Sequence, residues 1–456
     1  MSERVTVIGG GLAGCEAAWQ LARRGARVRL FEMRPERRSP AHETDDLAEL
    51  VCSNSLRSDA PENAVGLLHE EMRRAGSLVL EAADHNRVPA GSALAVDRVA
   101  FAREIGARIA AEPNIELVRR EVTELPEGLV ILATGPLTSD ALAASVRELC
   151  GDSLYFYDSI APVVYADSLK HERLFRASRW RSQEEGEGDY LNSPLSRDAY
   201  HAFVKELVGA DKVPLHEFEK PVYFEGCLPI EVMAERGAET LSFGPMKPVG
   251  LEDPRGGPPP YAVVQLRQED KAGSLYNLVG FQTKLRIGEQ RRIFRTLPGL
   301  EEAVFARFGS VHRNTFIRAP ELLDERLEHR AKPGLHFAGQ MAGVEGYVES
   351  AALGLLAGIF VAAKARARVG CLRDHQTSDQ TSDSAPLPPA TTALGALLAH
   401  LRHANPRHFQ PMNVNFGLFP ALEGKAARGP RKDRHVRLAA RAREDLGSWL
   451  TAVKPA

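Results

Sequence analysis

The chain opens on a compact apolar run, Val5-Thr6-Val7-Ile8, followed by a glycine-rich turn, a helical stretch over Cys15–Arg24 and a second strand ending at Glu32. This pattern predicts strand, turn, helix, strand. Apolar positions at Val99, Phe101, Ile105 and Ile109 predict an amphipathic helix within 97–125, followed by a strand over Ile115-Glu116-Leu117-Val118. Leu129-Val130-Ile131-Leu132 is a continuous apolar run suited to a parallel strand buried on both faces, and it ends at Ala133-Thr134-Gly135. From about 151 to 320 the pattern shifts to aromatics, prolines and short alternating runs such as Tyr261-Ala262-Val263-Val264-Gln265-Leu266, which predict a mixed, more antiparallel unit. Near 335 the first pattern returns: Leu335-His336-Phe337-Ala338, a glycine-rich turn, then a small-residue helix through Ala351–Ala363. Residues 374–391 are polar and proline-rich and read as a linker. A helix over Thr392–Leu401 and the segment Asn405–Leu418 follow, and no internal repeat is visible.

These elements predict an α/β fold: a discontinuous Rossmann-like, dinucleotide-binding domain with a mixed α+β domain inserted into it. The expected boundaries are 1–150 and 321–371 for the two parts of the binding domain and 151–320 for the insertion. The linker takes 372–391, and a helical segment with a basic tail takes 392–456.

Composition narrows the class. With 456 residues, 44% hydrophobic and 26% charged, the chain has the makeup of a soluble two-domain protein. No run of ~18 uninterrupted apolar residues appears, and the first residues lack a basic leader, so neither a membrane span nor a secretory signal is expected. Five cysteines, Cys15, Cys52, Cys150, Cys227 and Cys371, show no zinc-like spacing and predict free thiols in a cytoplasmic protein, with no metal site. The net charge of −2 gives no sign of a nucleic-acid binder, yet residues 424–445 gather Lys425, Arg428, Arg431, Lys432, Arg434, Arg437, Arg441 and Arg443. Such a stripe either attracts phosphate or is a solvated helix face. Arg402, His403, Arg407, His408 and Phe409 mix cations with an aromatic in the same two-sided way.

The sharpest chemistry lies at Gly9-Gly10-Gly11-Leu12-Ala13-Gly14. After a strand and before a helix, these glycines allow a tight turn, close approach of the backbone to a pyrophosphate, and contact between helix and strand. The helix N-terminus then offers free N–H groups to the phosphates. Glu32, 18 residues beyond Gly14, stands where a carboxylate accepts from ribose hydroxyls. FAD is favoured over NAD by Gly135 after its buried strand and by the late loop carrying Gly339, Gly343, Gly346 and Tyr347. Amides of that loop are expected to face the flavin, with the following helix N-terminus favouring negative charge on the reduced ring. A second G-x-G-x-x-G is absent, so a nicotinamide is expected to visit only as a reductant.

Val51-Cys52-Ser53-Asn54-Ser55-Leu56-Arg57-Ser58, Phe224-Glu225-Gly226-Cys227-Leu228-Pro229-Ile230-Glu231, Gly339–Tyr347 and Asn413-Val414-Asn415-Phe416-Gly417-Leu418 go beyond a general flavoprotein. From Val5 to about Leu418, linker and basic tail aside, the chain resembles the TrmFO family of folate- and FAD-dependent tRNA (uracil-5-)-methyltransferases. The resemblance implies FAD reduced by NAD(P)H, 5,10-methylenetetrahydrofolate as carbon donor, and 5-methyluridine in the T-loop of tRNA as product. By similarity Cys52 and Cys227 match the family's catalytic cysteines. The chemistry suits them: uracil C5 becomes nucleophilic once a group adds at C6, and a thiolate both adds and leaves well. Cys227 is assigned as the uracil nucleophile and Cys52 as the thiol working beside the flavin, with Arg57 expected to favour its thiolate. The residues alone leave the two roles interchangeable. Cys15 and Cys150 read as small buried hydrophobes and Cys371 as an inert exposed thiol. Tyr347 is a candidate for stacking on the folate pterin or for the core. Two other readings remain: an FAD-dependent oxidoreductase acting on a small molecule, against which the cysteine pair and basic tail argue, and the same methylation on ribosomal RNA. The related wobble-uridine flavoproteins are longer and carry a C-terminal helical domain.

Overall fold

The computed structural model describes residues 4–39, 41–151, 154–181, 187–214, 228–373 and 385–455, with the side chains of 154–158, 312–315, 370–373 and 408 left aside. The first sheet contains five strands: β1 (Arg4–Ile8), β2 (Arg27–Glu32), β3 (Ile115–Arg119), β4 (Leu129–Leu132) and β5 (Leu335–Phe337). They run in the order β5-β4-β1-β2-β3, and every neighbouring pair is parallel. β4 is buried at all four positions, as a continuous apolar run requires when both faces of a sheet are covered.

Helix α1 (Leu12–Arg23) follows β1, and the longest helix, α2 (Tyr347–Arg373), follows β5. The two helices approach backbone to backbone because α2 presents glycine where they meet. A Cβ on Gly354 would lie 2.2 Å from the Ala13 carbonyl oxygen, and one on Gly358 2.8 Å from that of Ala17. By length and composition, Tyr347–Val369 is apolar enough to cross a membrane, although no uninterrupted run announces it; 89% of its apolar window is buried inside the protein. The core encloses the Ala351–Ala363 read from the pattern on every side, and the helix runs on past it with Lys364, Arg366 and Arg368 no longer buried.

Between β4 and β5 the chain builds a six-stranded sheet in the order Phe175–Ala177, Tyr190–Leu195, Ala262–Gln268, Leu275–Leu278, Val163–Tyr165, Phe305–Arg307, with all neighbours antiparallel. It carries a separate hydrophobic core around Tyr200, Phe203, Phe281 and Phe294. The helix expected within 97–125 spans Arg98–Ala111, capped by the Asp97 carboxylate, and Val99 faces solvent at 45% exposure. Residues 374–384 of the expected linker lie outside the described residues. Beyond them, Ala393–His403 and a long helix, Arg431–Val453, return to the first core through Leu394, Leu397, Leu446 and Trp449.

Candidate active site

The glycine turn and the loops after β2, β4 and β5 surround one cleft at the carboxyl edge of the parallel sheet. It holds about 1020 Å³ of empty space, solvent at its mouth included. Its wall contains Gly9, Gly10, Gly11, Leu12, Ala13, Glu32, Gly135, Gly339 and Tyr347. Each glycine in the turn has a different constraint. Gly9 has φ +105°, and a Cβ there would lie 2.5 Å from the Ala133 carbonyl oxygen. Gly14 is closed off by the Gly9 carbonyl, 1.8 Å from an added Cβ, so it serves helix–strand contact and is outside the wall. Gly11 caps α1 in an extended conformation, with nothing within 4 Å of an added Cβ. That opening at a helix N-terminus, beside free amides, is where a pyrophosphate fits.

Glu32 is buried, and its Oε2 accepts from the Gly10 N–H at 3.0 Å while Oε1 accepts from the Arg34 N–H and guanidinium. Burial alone would raise its carboxyl; the Arg34 hydrogen bonds and charge outweigh it and hold Glu32 below the usual range. It is therefore a carboxylate with acceptor capacity left for a ribose.

Gly343 is not brought to the cleft. A Cβ there would meet the Phe409 ring at 2.3 Å, so this position is a glycine to admit the C-terminal segment. The same segment is stitched to the late loop by Asn413 Nδ2 donating to Glu345 O and by Val414 N–H donating to Glu349.

Cys52 lies one residue beyond Val51, which lines the cleft. Its N–H donates to the Tyr347 hydroxyl at 2.6 Å, and its Sγ lies 3.5 Å from the Ser159 carbonyl oxygen. Tyr347 thus joins cleft and cysteine loop; burial, with Cys52 adding to it, pushes its hydroxyl well up and keeps it neutral. The cation expected to act on Cys52 was Arg57. In the structure Arg57 is committed to an ion pair with the fully buried Glu349, and the guanidiniums around the Cys52 loop are Arg98, Arg267 and Arg307. No local spacing signals these three, because they come from a helix and two strands far along the chain.

Cys227 lies outside the described residues, but the segment that follows it is placed. Ile230 N–H donates to Gln282 O, and the buried Glu231 accepts from Thr283 Oγ1 at 2.8 Å and from the Lys284 N–H at 2.7 Å. Thr283 N–H in turn donates to Ile160 O, next to the Ser159 carbonyl on the Cys52 sulfur. Leu228–Glu231 and the Cys52 loop are therefore tied to the same stretch, Ser159–Ile160. Cys15 is fully buried, and burial pushes its thiol far up; Cys150 is pushed up to about 11 by the same cause. Both stay as thiols near neutral pH. Among the described residues no His/Cys/Asp/Glu group could hold a metal.

The family model described as Glucose inhibited division protein A matches residues 4–368. A protein of Geobacter sulfurreducens named methylenetetrahydrofolate–tRNA-(uracil-5-)-methyltransferase TrmFO is 59% identical over 99% of this chain and 100% of its own length. The chain belongs to the TrmFO family. A member from Rhodospirillum rubrum is 56% identical over 99% of this chain and 93% of its own. Among solved structures, Aquifex aeolicus GidA shares the fold with a TM-score of 0.67 at 17% identity, over 99% of this chain and 78% of that one. A Rossmann-like α/β fold is thus reached from the parallel sheet and the structural neighbour alike.

Proposed function

We propose that the chain transfers the one-carbon unit of 5,10-methylenetetrahydrofolate to C5 of a T-loop uridine in tRNA, giving 5-methyluridine. The observation that carries this is full-length identity of 59% to a relative named for that activity. FAD held in the cleft would supply the electrons that take the carbon from methylene to methyl, and NAD(P)H would replenish them. The chain's own residues bind and orient. Amides at Gly11–Ala13 would hold the pyrophosphate, Glu32 would take the ribose, and Tyr347 fixes the Cys52 loop against the cleft. Cys227 adds to C6 of the uracil, making C5 nucleophilic, and Cys52 assists carbon transfer or removes the C5 proton. Such work belongs in the cytoplasm, where tRNA is.

The deciding experiment incubates unmodified tRNA with the protein, methylenetetrahydrofolate, FAD and NADPH. 5-Methyluridine is expected by mass spectrometry, and none when S-adenosylmethionine replaces the folate. Cys52→Ala and Cys227→Ala are each expected to abolish methylation while the protein keeps its yellow flavin colour. Normal methylation by either variant removes that cysteine from the mechanism.

A further inference from the structure

Nearly every residue of the segment Leu50–Asn54 is gripped by a side chain from elsewhere in the molecule. Arg98, at the start of the helix Arg98–Ala111, donates Nη1 to Leu50 O at 2.6 Å. Arg307, closing the edge strand Phe305–Arg307, donates Nη1 to Val51 O at 3.0 Å. Arg267, on the central strand Ala262–Gln268, donates Nη2 to Ser53 Oγ at 2.8 Å and Nε to Asn54 Oδ1 at 2.9 Å. The Tyr347 hydroxyl takes the N–H groups of Cys52 and Ser53. Of the polar side chains in this segment, Arg267 holds those of Ser53 and Asn54, while that of Cys52 contacts Ser159 O.

The carboxylate of Glu269 favours the charge on all three guanidiniums, and Glu43 adds to it at Arg307, but direct pairing is uneven. Glu269 pairs with Arg98 at 2.7 Å, but among the described residues no carboxylate bonds Arg267 or Arg307. The Arg98 and Arg267 residues are almost enclosed, and Nε and Nη2 of Arg307 are buried without an acceptor. Uncompensated guanidinium charge in a poorly solvated setting is costly and favours an anion nearby. A merely structural clamp would gain by pairing each arginine with a carboxylate. This one instead grips the residues on either side of a cysteine.

We propose that Arg98, Arg267 and Arg307 are positioning residues for Cys52, holding its loop in one conformation and stabilising negative charge on its sulfur. The proposal rests on the part given to Cys52 above. It also gives the inserted sheet a task in the chemistry, since two of the three arginines stand on that sheet and act on a loop of the first domain.

The test uses Arg267→Met, Arg267→Lys, Arg307→Met and Arg307→Lys in the flavin-loaded protein. Loss of loop geometry at a reacting centre is expected to lower kcat by roughly ten- to a hundredfold in the Met variants, with KM for tRNA and folate unchanged. Lysine, which keeps the charge, should recover most of that loss. The second readout needs no turnover: alkylation of Cys52 by anionic iodoacetate and by neutral iodoacetamide, followed on the Cys52 peptide by mass spectrometry. The rate ratio of the two reagents should fall several-fold in the Met variants and stay near that of the parent in the Lys variants. Should Arg267→Met fail to hold flavin, Arg307→Met, whose guanidinium makes one hydrogen bond, carries the test. Met variants with parental kcat and parental reagent ratio overturn the proposal, as does a Lys variant whose ratio falls as far as that of Met. If Cys52→Ala methylates normally, the assignment of Cys52 fails, while the reagent ratio still reads the effect of the arginines.

Discussion

Single residues in the glycine turn divide into those that shape the protein and those that leave room for a ligand. Gly11 has ordinary extended dihedrals and open space before it, so Gly11→Val should fold with apo-state stability within about 0.5 kcal/mol of the parent. Its side chain would stand in the phosphate space, and the variant should purify colourless. Gly14→Val places carbon against the Gly9 carbonyl and should cost about 1–3 kcal/mol or more in the apo protein. Thermal melts of the apo forms with flavin absorbance check both; a yellow, fully loaded Gly11→Val would remove the turn from the binding site. At this scale the turn was legible because its chemistry is local. The surroundings of Cys52 were not, and Arg57, its neighbour in sequence, turned out to serve Glu349.

Among whole elements, the helix Ala393–His403 is held at its start by a carboxyl group from another helix. Glu71, fully buried on the helix Ala64–Arg74, accepts from the N–H groups of Ala393 and Leu394, near the positive end of the helix dipole. Burial pushes Glu71 up to about 8, against which the two N–H bonds pull it down. Its folded value thus lies above the unfolded one of about 4.3. The linked stability is fully present below that lower value and is lost as pH rises through about 8. The urea midpoint of the parent relative to Glu71→Gln should therefore decline from pH 5 to pH 9; a constant difference would show that Glu71 does not titrate in this range. The helix itself could be read from its apolar spacing. Its docking partner could not, because Glu71 and Ala393 are 322 positions apart.

Across the whole molecule, the basic stripe of residues 424–445 separates into two groups. Arg437 and Arg441 bind backbone carbonyls of the preceding turns and Arg443 pairs with Glu70, so these three fasten the terminal helix. Lys425 is exposed in the turn before that helix, and Arg428, Arg431, Lys432 and Arg434 form an exposed set of four. If these four touch tRNA, replacing all of them by Ala should weaken binding and flatten the slope of log affinity against log salt by up to about 0.7 for each phosphate no longer neutralised, with flavin content unchanged. An unaltered slope would leave them as a solvated helix face. The sequence by itself determined the parallel βαβ core, the turn at Gly9–Gly14, the place of Glu32 and the family, since each is written in short-range periodicity or in contiguous motifs. Only the tertiary structure decided that Gly343 admits Phe409, that Tyr347 seats the Cys52 loop, and that three distant arginines hold that loop. Those outcomes depend on which buried polar groups must find partners once the chain has collapsed, and such partners are chosen by distance in space rather than along the sequence.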